Sequence, residues 1–295
     1  ARDLREAEWN VTAVLHMGDP VSNPCARPRL IDLLPGDQTD RCYGVAIDIG
    51  TTSNVVYLIN LINGRVIDRA SAYNAQIQAG EDVISRIVFS QKRDGLRRLQ
   101  KMVLKTLNGL IEEIAARNQI PTRQISSAVV AGNTTMIQLF LAIDPRTIRE
   151  MPFIPTISQP LPVTAEEIGL NINRQATVDC LPVVGAYVGA DITAGVLASD
   201  MYDTDALTLF IDVGTNGEIV LGNRELGLMS CSTAAGPAFE GAHIKFGMRA
   251  AQGAIEHVKI APGSYDIEYH TIGGGPPRGI CRGVRHRRSL CRGMA

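Results

Sequence analysis

The sequence predicts a mixed α/β fold in which a half-domain with the element order βββαβα begins and then begins again. Three apolar runs joined by short turns, YGVAIDIG, NVVYLINL and GRVIDRASAY, predict an antiparallel meander. A long segment with helical periodicity follows them. Residues 208–223 then repeat the pattern of residues 44–59 at a constant offset of 164 positions, which indicates a duplicated unit.

The elements between the two copies fit this order. GLRRLQKMVLKTLNGLIEEIAARN predicts a helix that packs through an apolar stripe. ISSAVVAGN predicts a buried strand, and TTMIQLFLAI predicts a helix with a threonine N-cap. After a proline-rich connector, CLPVVGAYVGADITAGVLASDM predicts a strand that leads into a helix. The stripe of the long helix consists of Leu96, Leu99, Met102, Val103, Leu107, Leu110, Ile111 and Ile114.

The composition of the chain argues against several classes of protein. The 295 residues are 45% hydrophobic and 20% charged, a globular balance, and the net charge of -1 gives no general attraction to nucleic acid or anionic membranes. No apolar run approaches the roughly 20 residues that span a bilayer, and the N-terminus lacks the layout of a signal peptide. The six cysteines form no C-x-x-C pair and are expected to be free thiols. We therefore expect a cytoplasmic protein with no nucleic-acid or membrane partner.

The repeated turn carries the predicted chemistry. Four positions of the two copies coincide at the offset of 164, and they are Asp48 with Asp212, Gly50 with Gly214, Thr51 with Thr215, and Val56 with Val220. Glycine lets the backbone approach an anion with its N–H groups, and threonine adds hydroxyl donors. A carboxylate beside a phosphate implies a metal ion or a water between them. Two such hairpins would hold a polyphosphate, whereas the alternative is a pair of ordinary turns.

These paired D-x-G-T hairpins resemble those of the superfamily of acetate and sugar kinases, 70-kDa heat-shock proteins and actin. The resemblance implies duplicated ribonuclease H-like (actin/hexokinase-type) βββαβα halves, with the second half incomplete. Six blocks in order narrow the match: YGVAIDIGTTSNVVYL, ASAYNAQIQAGEDVISRI, VVAGNTTMIQLFL, GAYVGADITAGVL, FIDVGTNGEIVLG and STAAGPAFEGAHIKFGM. Together they resemble the C-terminal ATPase domain of the reductive activators of corrinoid proteins, from about residue 9 to Cys281.

The resemblance implies an ATP-hydrolysing enzyme that drives one-electron reduction of a Co(II) corrinoid to Co(I) for methyl transfer. It implies ATP and Mg²⁺ as ligands, and a 2Fe–2S domain that lies before the ATPase domain and is absent from this chain. The expected partner is a corrinoid protein or a corrinoid-dependent methyltransferase, and a homodimer is left open. The expected boundaries are a linker or remnant of a preceding domain at 1–42, a first half-domain at 43–203, the start of a second at 204–281, and a tail at 282–295.

Residue roles follow from the resemblance by position. Asp48 and Asp212 are expected to bind Mg²⁺ through water. Both are also catalytic candidates, and Asp212 is the better one for orienting the attacking water. Gly236 is expected to begin a helix near the nucleotide, whereas Asp191 and Glu240 are expected to be helix N-terminal charges rather than catalysts. The residues expected to hold the β- and γ-phosphates are Gly50, Thr51, Thr52 and Ser53 on one side and Gly214, Thr215, Asn216 and Gly217 on the other.

Three other functions stay open. An activator of 2-hydroxyacyl-CoA dehydratases would need cysteines placed to bridge a 4Fe–4S cluster, and no suitable pair stands out. A small-molecule kinase would need a sugar-binding motif, and none stands out. A non-catalytic nucleotide-binding module would bind ATP without hydrolysing it.

The end of the chain departs from the rest. From Arg282 onward there are five arginines, one histidine and no acidic residue, and the family resemblance stops at Cys281. A DNA sequence that encodes residues 282–289 can be chosen so that, read in a neighbouring frame, it encodes a sequence close to the family's next motif. We therefore expect a shifted reading frame here rather than a nucleic-acid arm.

Overall fold

A computed structural model describes residues 5, 7–18, 27–214, 216–233, 247–248, 252–260 and 267–281. The chain divides into two units, the first of residues 1–198 and the second of residues 199–295. The predicted tail at 282–295 lies outside the described residues, as do Thr215, Gly236 and Glu240.

The first unit contains eight strands and six α-helices among the described residues. The strands are β1 (Val11–His16), β2 (Arg29–Pro35), β3 (Tyr43–Ile49), β4 (Ser53–Asn60), β5 (Arg65–Tyr73), β6 (Ile125–Gly132), β7 (Val163–Thr164) and β8 (Thr177–Cys180). The helices are α1 (Val83–Ser90), α2 (Gly95–Arg117), α3 (Thr134–Phe140), α4 (Arg146–Arg149), α5 (Ala165–Ile168) and α6 (Ala190–Ala198). In the parts of the chain that the structure describes, no helix is both long and apolar enough to cross a membrane.

Six of these strands form one sheet in the order β5-β4-β3-β6-β8-β7. The pairs β3–β4 and β4–β5 are antiparallel, so the predicted meander is confirmed. The pairs β3–β6 and β6–β8 are parallel. Parallel pairing brings the carboxyl ends of β3, β6 and β8 to the same edge of the sheet, which is where ligands bind in α/β folds.

Helix α2 covers one face of this sheet. Six of the eight predicted stripe residues are buried, whereas Leu96 and Met102 at the start of the helix are partly exposed. The buried six pack in one cluster with β3 residues Val45, Ile47 and Ile49. The helical stripe and the alternation of the strand therefore meet in a single core, as the sequence predicts.

Residues 1–42, expected to be a linker or the remnant of a preceding domain, contain two strands. β1 pairs with β2 in an antiparallel hairpin. The Arg29 guanidinium holds this hairpin to the rest of the first unit. It donates to the carbonyl of Gln175 at 2.9 Å and to Oγ1 of Thr177 at 2.6 Å.

The predicted threonine N-cap of α3 is also wrong. The cap is Asn133, whose side chain accepts a hydrogen bond from the Met136 N–H at 3.0 Å. Thr134 is the first helical residue, and its hydroxyl donates to the carbonyl of Gly185 at 2.6 Å. Asparagine caps helices at least as well as threonine, so the next polar residue upstream takes the role.

The second unit contains two sheets among its described residues. The first has the order β11-β10-β9 and is antiparallel. The second has the order β12-β15-β13-β14. The strands are β9 (Thr208–Val213), β10 (Gly217–Asn223), β11 (Gly227–Thr233), β12 (Gly247–Met248), β13 (Ala254–Ile260), β14 (Ile267–Thr271) and β15 (Gly279–Cys281).

The two copies of the repeat differ by one residue in the turn. In the first copy Ile49 pairs with Asn54, whereas in the second Val213 pairs with Gly217. The offset of 164 therefore holds from β3 to β9 but becomes 163 from β4 to β10. The predicted match of Val56 with Val220 is wrong, because the strand partner in the equivalent place is Ile219.

The equivalent strands of the two copies, β3 and β9, also differ in how far their apolar side chains are buried. Leu209, Ile211 and Val213 of β9 are the counterparts of three buried residues of β3, yet they are 57%, 54% and 61% exposed. The second unit therefore presents an apolar strand face that its equivalent in the first unit buries against α2.

Gly189, just before α6, makes a close backbone contact at the edge of the first unit's sheet. A Cβ there would lie 2.4 Å from Cα of Asn133 and 2.8 Å from the carbonyl of Gly132. We expect Gly189→Ala to lower the free energy of unfolding by about 1–3 kcal/mol, because the opposing atoms are backbone and cannot rotate away. Urea denaturation measures this change.

Gly185→Ala is the matched control, because a Cβ at Gly185 would meet no atom within 4 Å. Equal stability of the two variants would show that the contact at Gly189 does not constrain the fold.

Candidate functional site

The predicted phosphate-binding residues of the first copy lie in one tight turn between β3 and β4. The Gly50 N–H donates to the carbonyl of Ser53 at 3.0 Å and closes the turn. A Cβ on Gly50 would lie 2.4 Å from that carbonyl oxygen, so this position requires glycine. We name residues 50–53 the β3–β4 loop.

The carbonyls of the β3–β4 loop are held from inside the protein. Asn74 Nδ2 donates to the carbonyl of Gly50 at 2.9 Å, and the Asn74 N–H donates to the carbonyl of Thr52 at 2.9 Å. Arg86 Nη2 donates to the carbonyl of Thr51 at 2.5 Å. The loop is therefore anchored through every one of its carbonyls, since that of Ser53 accepts from Gly50.

The N–H groups of the same loop are left available. Those of Thr51 and Thr52 donate no hydrogen bond to any residue that the structure describes. A turn whose carbonyls are tied inward and whose N–H groups are unused can accept an anion. This is the arrangement expected of a phosphate-binding loop.

The side chains of the β3–β4 loop differ in their exposure to solvent. Thr51 is buried, and its Oγ1 accepts a hydrogen bond from Asn133 Nδ2 at 2.9 Å. Thr52 is partly exposed and Ser53 is exposed. Thr51 therefore links the loop to the N-cap of α3, whereas the hydroxyls of Thr52 and Ser53 reach the surface.

The ends of the parallel strands come close to the loop. Gly132 at the end of β6 has φ of +157°, and a Cβ there would lie 2.7 Å from the carbonyl of Ile49. Asp48, one residue earlier on β3, is exposed at this edge of the sheet. Asp191 lies in the first turn of α6, where its Oδ1 accepts from the Ile192 N–H at 2.9 Å.

The second copy forms a shorter turn. The Gly214 N–H donates to the carbonyl of Asn216 at 2.8 Å, as Gly50 does to Ser53 in the first copy. Gly217 opens β10, and Thr215 lies outside the described residues. Asp212 is partly exposed near the end of β9.

Glu218 is a carboxylate that sequence reasoning missed. It lies directly opposite Asp212 in the β9–β10 pair, so both side chains point to the same face. Burial raises the pKa of Glu218, and the Asp212 carboxylate adds to the rise. A hydrogen bond from Ser232 Oγ at 3.0 Å opposes it. The signal available in the sequence was the alternation of FIDVGTNGE across the turn.

The described residues contain no group of three or more His, Cys, Asp or Glu side chains that could hold a metal ion directly. The described free cysteines are Cys42, Cys180 and Cys231. Burial, together with the neighbouring Asp179 carboxylate, raises the pKa of Cys180 to about 12. Only Cys231 among these three is exposed.

The raised pKa of Glu218, which lies opposite Asp212, predicts a pH-dependent stability. Because folding raises the pKa of Glu218, its charged form lowers the stability of the folded state at pH values above the raised pKa. At pH of about 4 or below, glutamate is protonated in both the folded and the unfolded state, and the raised pKa then has no effect on stability. We expect Glu218→Gln to raise the free energy of unfolding at pH 8, and the gain to vanish as the pH falls toward 4. Urea denaturation at a series of pH values measures it.

Glu225→Gln is the control, because Glu225 is exposed in the turn after β10. A Glu218→Gln effect that stays constant from pH 4 to pH 8, or that destabilises at pH 8, would contradict the assigned pKa rise.

The fold and the β3–β4 loop define the class of the protein as an actin-like ATPase fold, the ASKHA class. The family model described as "RACo middle region" matches residues 43–204, and that described as "C-terminal domain of RACo the ASKHA domain" matches residues 206–283. The chain belongs to the RACo family, the reductive activators of corrinoid proteins. The predicted family and fold class are thereby confirmed.

Relatives of this chain carry related names. It is 38% identical over 255 residues to the corrinoid activation enzyme RamQ of Eubacterium limosum, covering 86% of this chain and 42% of RamQ. It is 25% identical to the [Co(II) methylated amine-specific corrinoid protein] reductase of Methanosarcina barkeri, covering 74% of this chain and 41% of the reductase.

A solved structure of a reductive activator for corrinoid, iron-sulfur protein is also similar. It matches with a TM-score of 0.81 and 44% identity, covering 96% of this chain and 44% of that protein. The chain therefore spans less than half the length of each of these three relatives.

Proposed function

We propose that this chain binds Mg·ATP through the β3–β4 loop and hydrolyses it to drive reductive reactivation of a corrinoid protein from Co(II) to Co(I), for methyl transfer. The observation that carries the proposal is the loop itself, with its carbonyls tied inward and two N–H groups unused. The reaction is proposed from the names of three relatives, each of which is an activator or reductase of corrinoid proteins.

The residues present fit a nucleotide with its metal ion. The N–H groups of Thr51 and Thr52 and the accessible hydroxyls of Thr52 and Ser53 are donors suited to phosphate oxygens. Gly214, Thr215, Asn216 and Gly217 would supply the second set. Mg²⁺ would be held by Asp48 and Asp212 through water, and it would offset the charge of the phosphates.

Asp212 is proposed to orient the water that attacks the γ-phosphorus. The bond that forms joins the water oxygen to the γ-phosphorus, and the bond that breaks joins that phosphorus to the β–γ bridging oxygen, giving ADP and phosphate. Glu218, opposite Asp212, is a second carboxylate on the same face.

The electron is proposed to come from a 2Fe–2S donor outside this chain. One electron reduces Co(II) to Co(I), and ATP hydrolysis makes the uphill step favourable. The partner is proposed to be a corrinoid protein or a corrinoid-dependent methyltransferase. The half-domain boundaries at 43–203 and 204–281, and the shifted frame after Cys281, belong to the same proposal.

One assay tests this function. The complete protein, given a chemical reductant such as titanium(III) citrate, a Co(II) corrinoid protein and Mg·ATP, should produce the Co(I) absorbance. Asp212→Asn should lower the ATPase rate, measured at saturating Mg·ATP, by about 10² to 10⁴ fold, the range for a positioned acid–base group. Asp203→Asn, at an exposed carboxylate of the same unit, is the control.

Reduction of Co(II) that is equally fast without ATP would overturn the proposal. ATP binding without hydrolysis beside the corrinoid partner would instead favour the non-catalytic module. Phosphorylation of a small molecule would favour the kinase.

A further inference from the structure

Arg86 lies beneath the β3–β4 loop and is completely buried. It belongs to α1, whose N-cap Asp82 accepts a hydrogen bond from the Ser85 N–H at 2.8 Å. A side chain as long and polar as arginine is almost never fully buried unless it is paired. Its burial here therefore needs a reason.

Every nitrogen of the guanidinium has a partner. Nε donates to the carbonyl of Gly80 at 2.9 Å, and Nη2 donates to the carbonyl of Thr51 at 2.5 Å. Nη1 contacts Sδ of Met136 at 3.2 Å and Oε1 of Gln76 at 3.4 Å. All of these partners are neutral.

The positive charge has no ion-pair partner among the described carboxylates. Burial lowers the pKa of Arg86 to about 10, and the negative charge of Asp82 opposes that shift. The guanidinium is therefore still charged at neutral pH. A buried cation with only neutral hydrogen-bond partners is costly to the fold, which is the pattern of a group kept for a functional reason.

The network continues from the guanidinium to the main helix of the core. Gln76 is buried, and its Nε2 donates to the carbonyl of Leu99 in α2 at 3.0 Å. Oε1 of Gln76 also faces Nδ2 of Asn74 at 3.4 Å, and Asn74 holds the carbonyls of Gly50 and Thr52. Arg86, Gln76 and Asn74 thus tie the loop to α2 through side chains that are all buried.

We infer that Arg86 is a positioning residue for the phosphates of the bound nucleotide. It fixes the Thr51 carbonyl inward, so that the N–H groups of Thr51 and Thr52 face the ligand. Its charge lies on the protein side of the loop and attracts the phosphates across it. This role rests on the proposed nucleotide binding, but the loop geometry that it fixes exists without a ligand.

Two variants and one control separate the effect of the Arg86 charge from that of its hydrogen-bonding geometry. Arg86→Met removes both the charge and the donors. Arg86→Lys keeps the charge but has a single ammonium group, which cannot reproduce the fork that reaches Gly80 and Thr51 together. Arg97→Met makes the same chemical change at an exposed position of α2 and is the control.

Two readouts are compared on the full 295-residue chain. The first is hydrogen exchange of the peptide spanning residues 48–55 without nucleotide, set against peptides from α2 and β6. The second is the dissociation constant for Mg·ATP by isothermal titration. A purely structural role would speed exchange everywhere, whereas a positioning role speeds it in the loop.

We expect Arg86→Met to speed exchange in the loop selectively and to weaken Mg·ATP binding by about 10 to 100 fold, the range for losing a charge-assisted hydrogen bond. Arg86→Lys should fall between this variant and the unmodified chain, and Arg97→Met should match the unmodified chain. If Arg86→Met does not fold, Arg86→Lys decides by the same two readouts.

Loop exchange and Mg·ATP affinity that are unchanged in Arg86→Lys and Arg86→Met would overturn the inference. Exchange that rises equally in loop, α2 and β6 would also overturn it. If the unmodified chain does not bind Mg·ATP, the proposed function fails, and the exchange readout still decides whether Arg86 positions the loop.

Discussion

The structure of the first unit depends on backbone contact between the ends of its parallel strands. The carbonyl of Ile49 lies where a side chain on Gly132 would be, and the carbonyl of Gly132 lies where a side chain on Gly189 would be. These two contacts bring the end of β3, the end of β6 and the start of α6 to one place. The β3–β4 loop and the Asn133 cap of α3 follow directly from these strand ends. Any side chain at either glycine would separate the elements that form the candidate site.

The hydrogen bonds and the charge beneath the β3–β4 loop then determine what this edge of the sheet can bind. The buried side chains of Asn74 and Arg86 satisfy the carbonyls of Gly50 and Thr51 from below, and Oε1 of the buried Gln76 accepts from both side chains. A fully satisfied polar network of this kind rigidifies its surroundings, whereas a partly satisfied one would be costly. The loop is therefore held in one conformation before any ligand arrives, and preorganisation of this kind is how a binding site avoids an ordering cost.

The sequence was most informative where a short-range pattern determines structure. The alternation of β3 and the stripe of α2 predicted the core, and the repeated D-x-G-T turn predicted the β3–β4 loop. The one-residue difference between the two turns could not be seen in the sequence. An offset of 163 and an offset of 164 both align apolar residues of β4 with apolar residues of β10. Arg86 and Asn74 lie 35 and 23 residues after Thr51, and their contacts with the loop depend on tertiary folding. Glu218 was missed because its importance comes from the strand pairing that places it opposite Asp212.

We propose that the β3–β4 loop, held from below by Asn74 and Arg86, binds phosphate through the N–H groups of Thr51 and Thr52. The most direct measurement is an amide-resolved NMR titration of the chain with Mg·ATP. We expect the largest chemical-shift changes at the amides of Thr51, Thr52 and Ser53, and no change at the amides of α2. Saturable shifts confined to other parts of the chain, with these three amides unmoved, would contradict it.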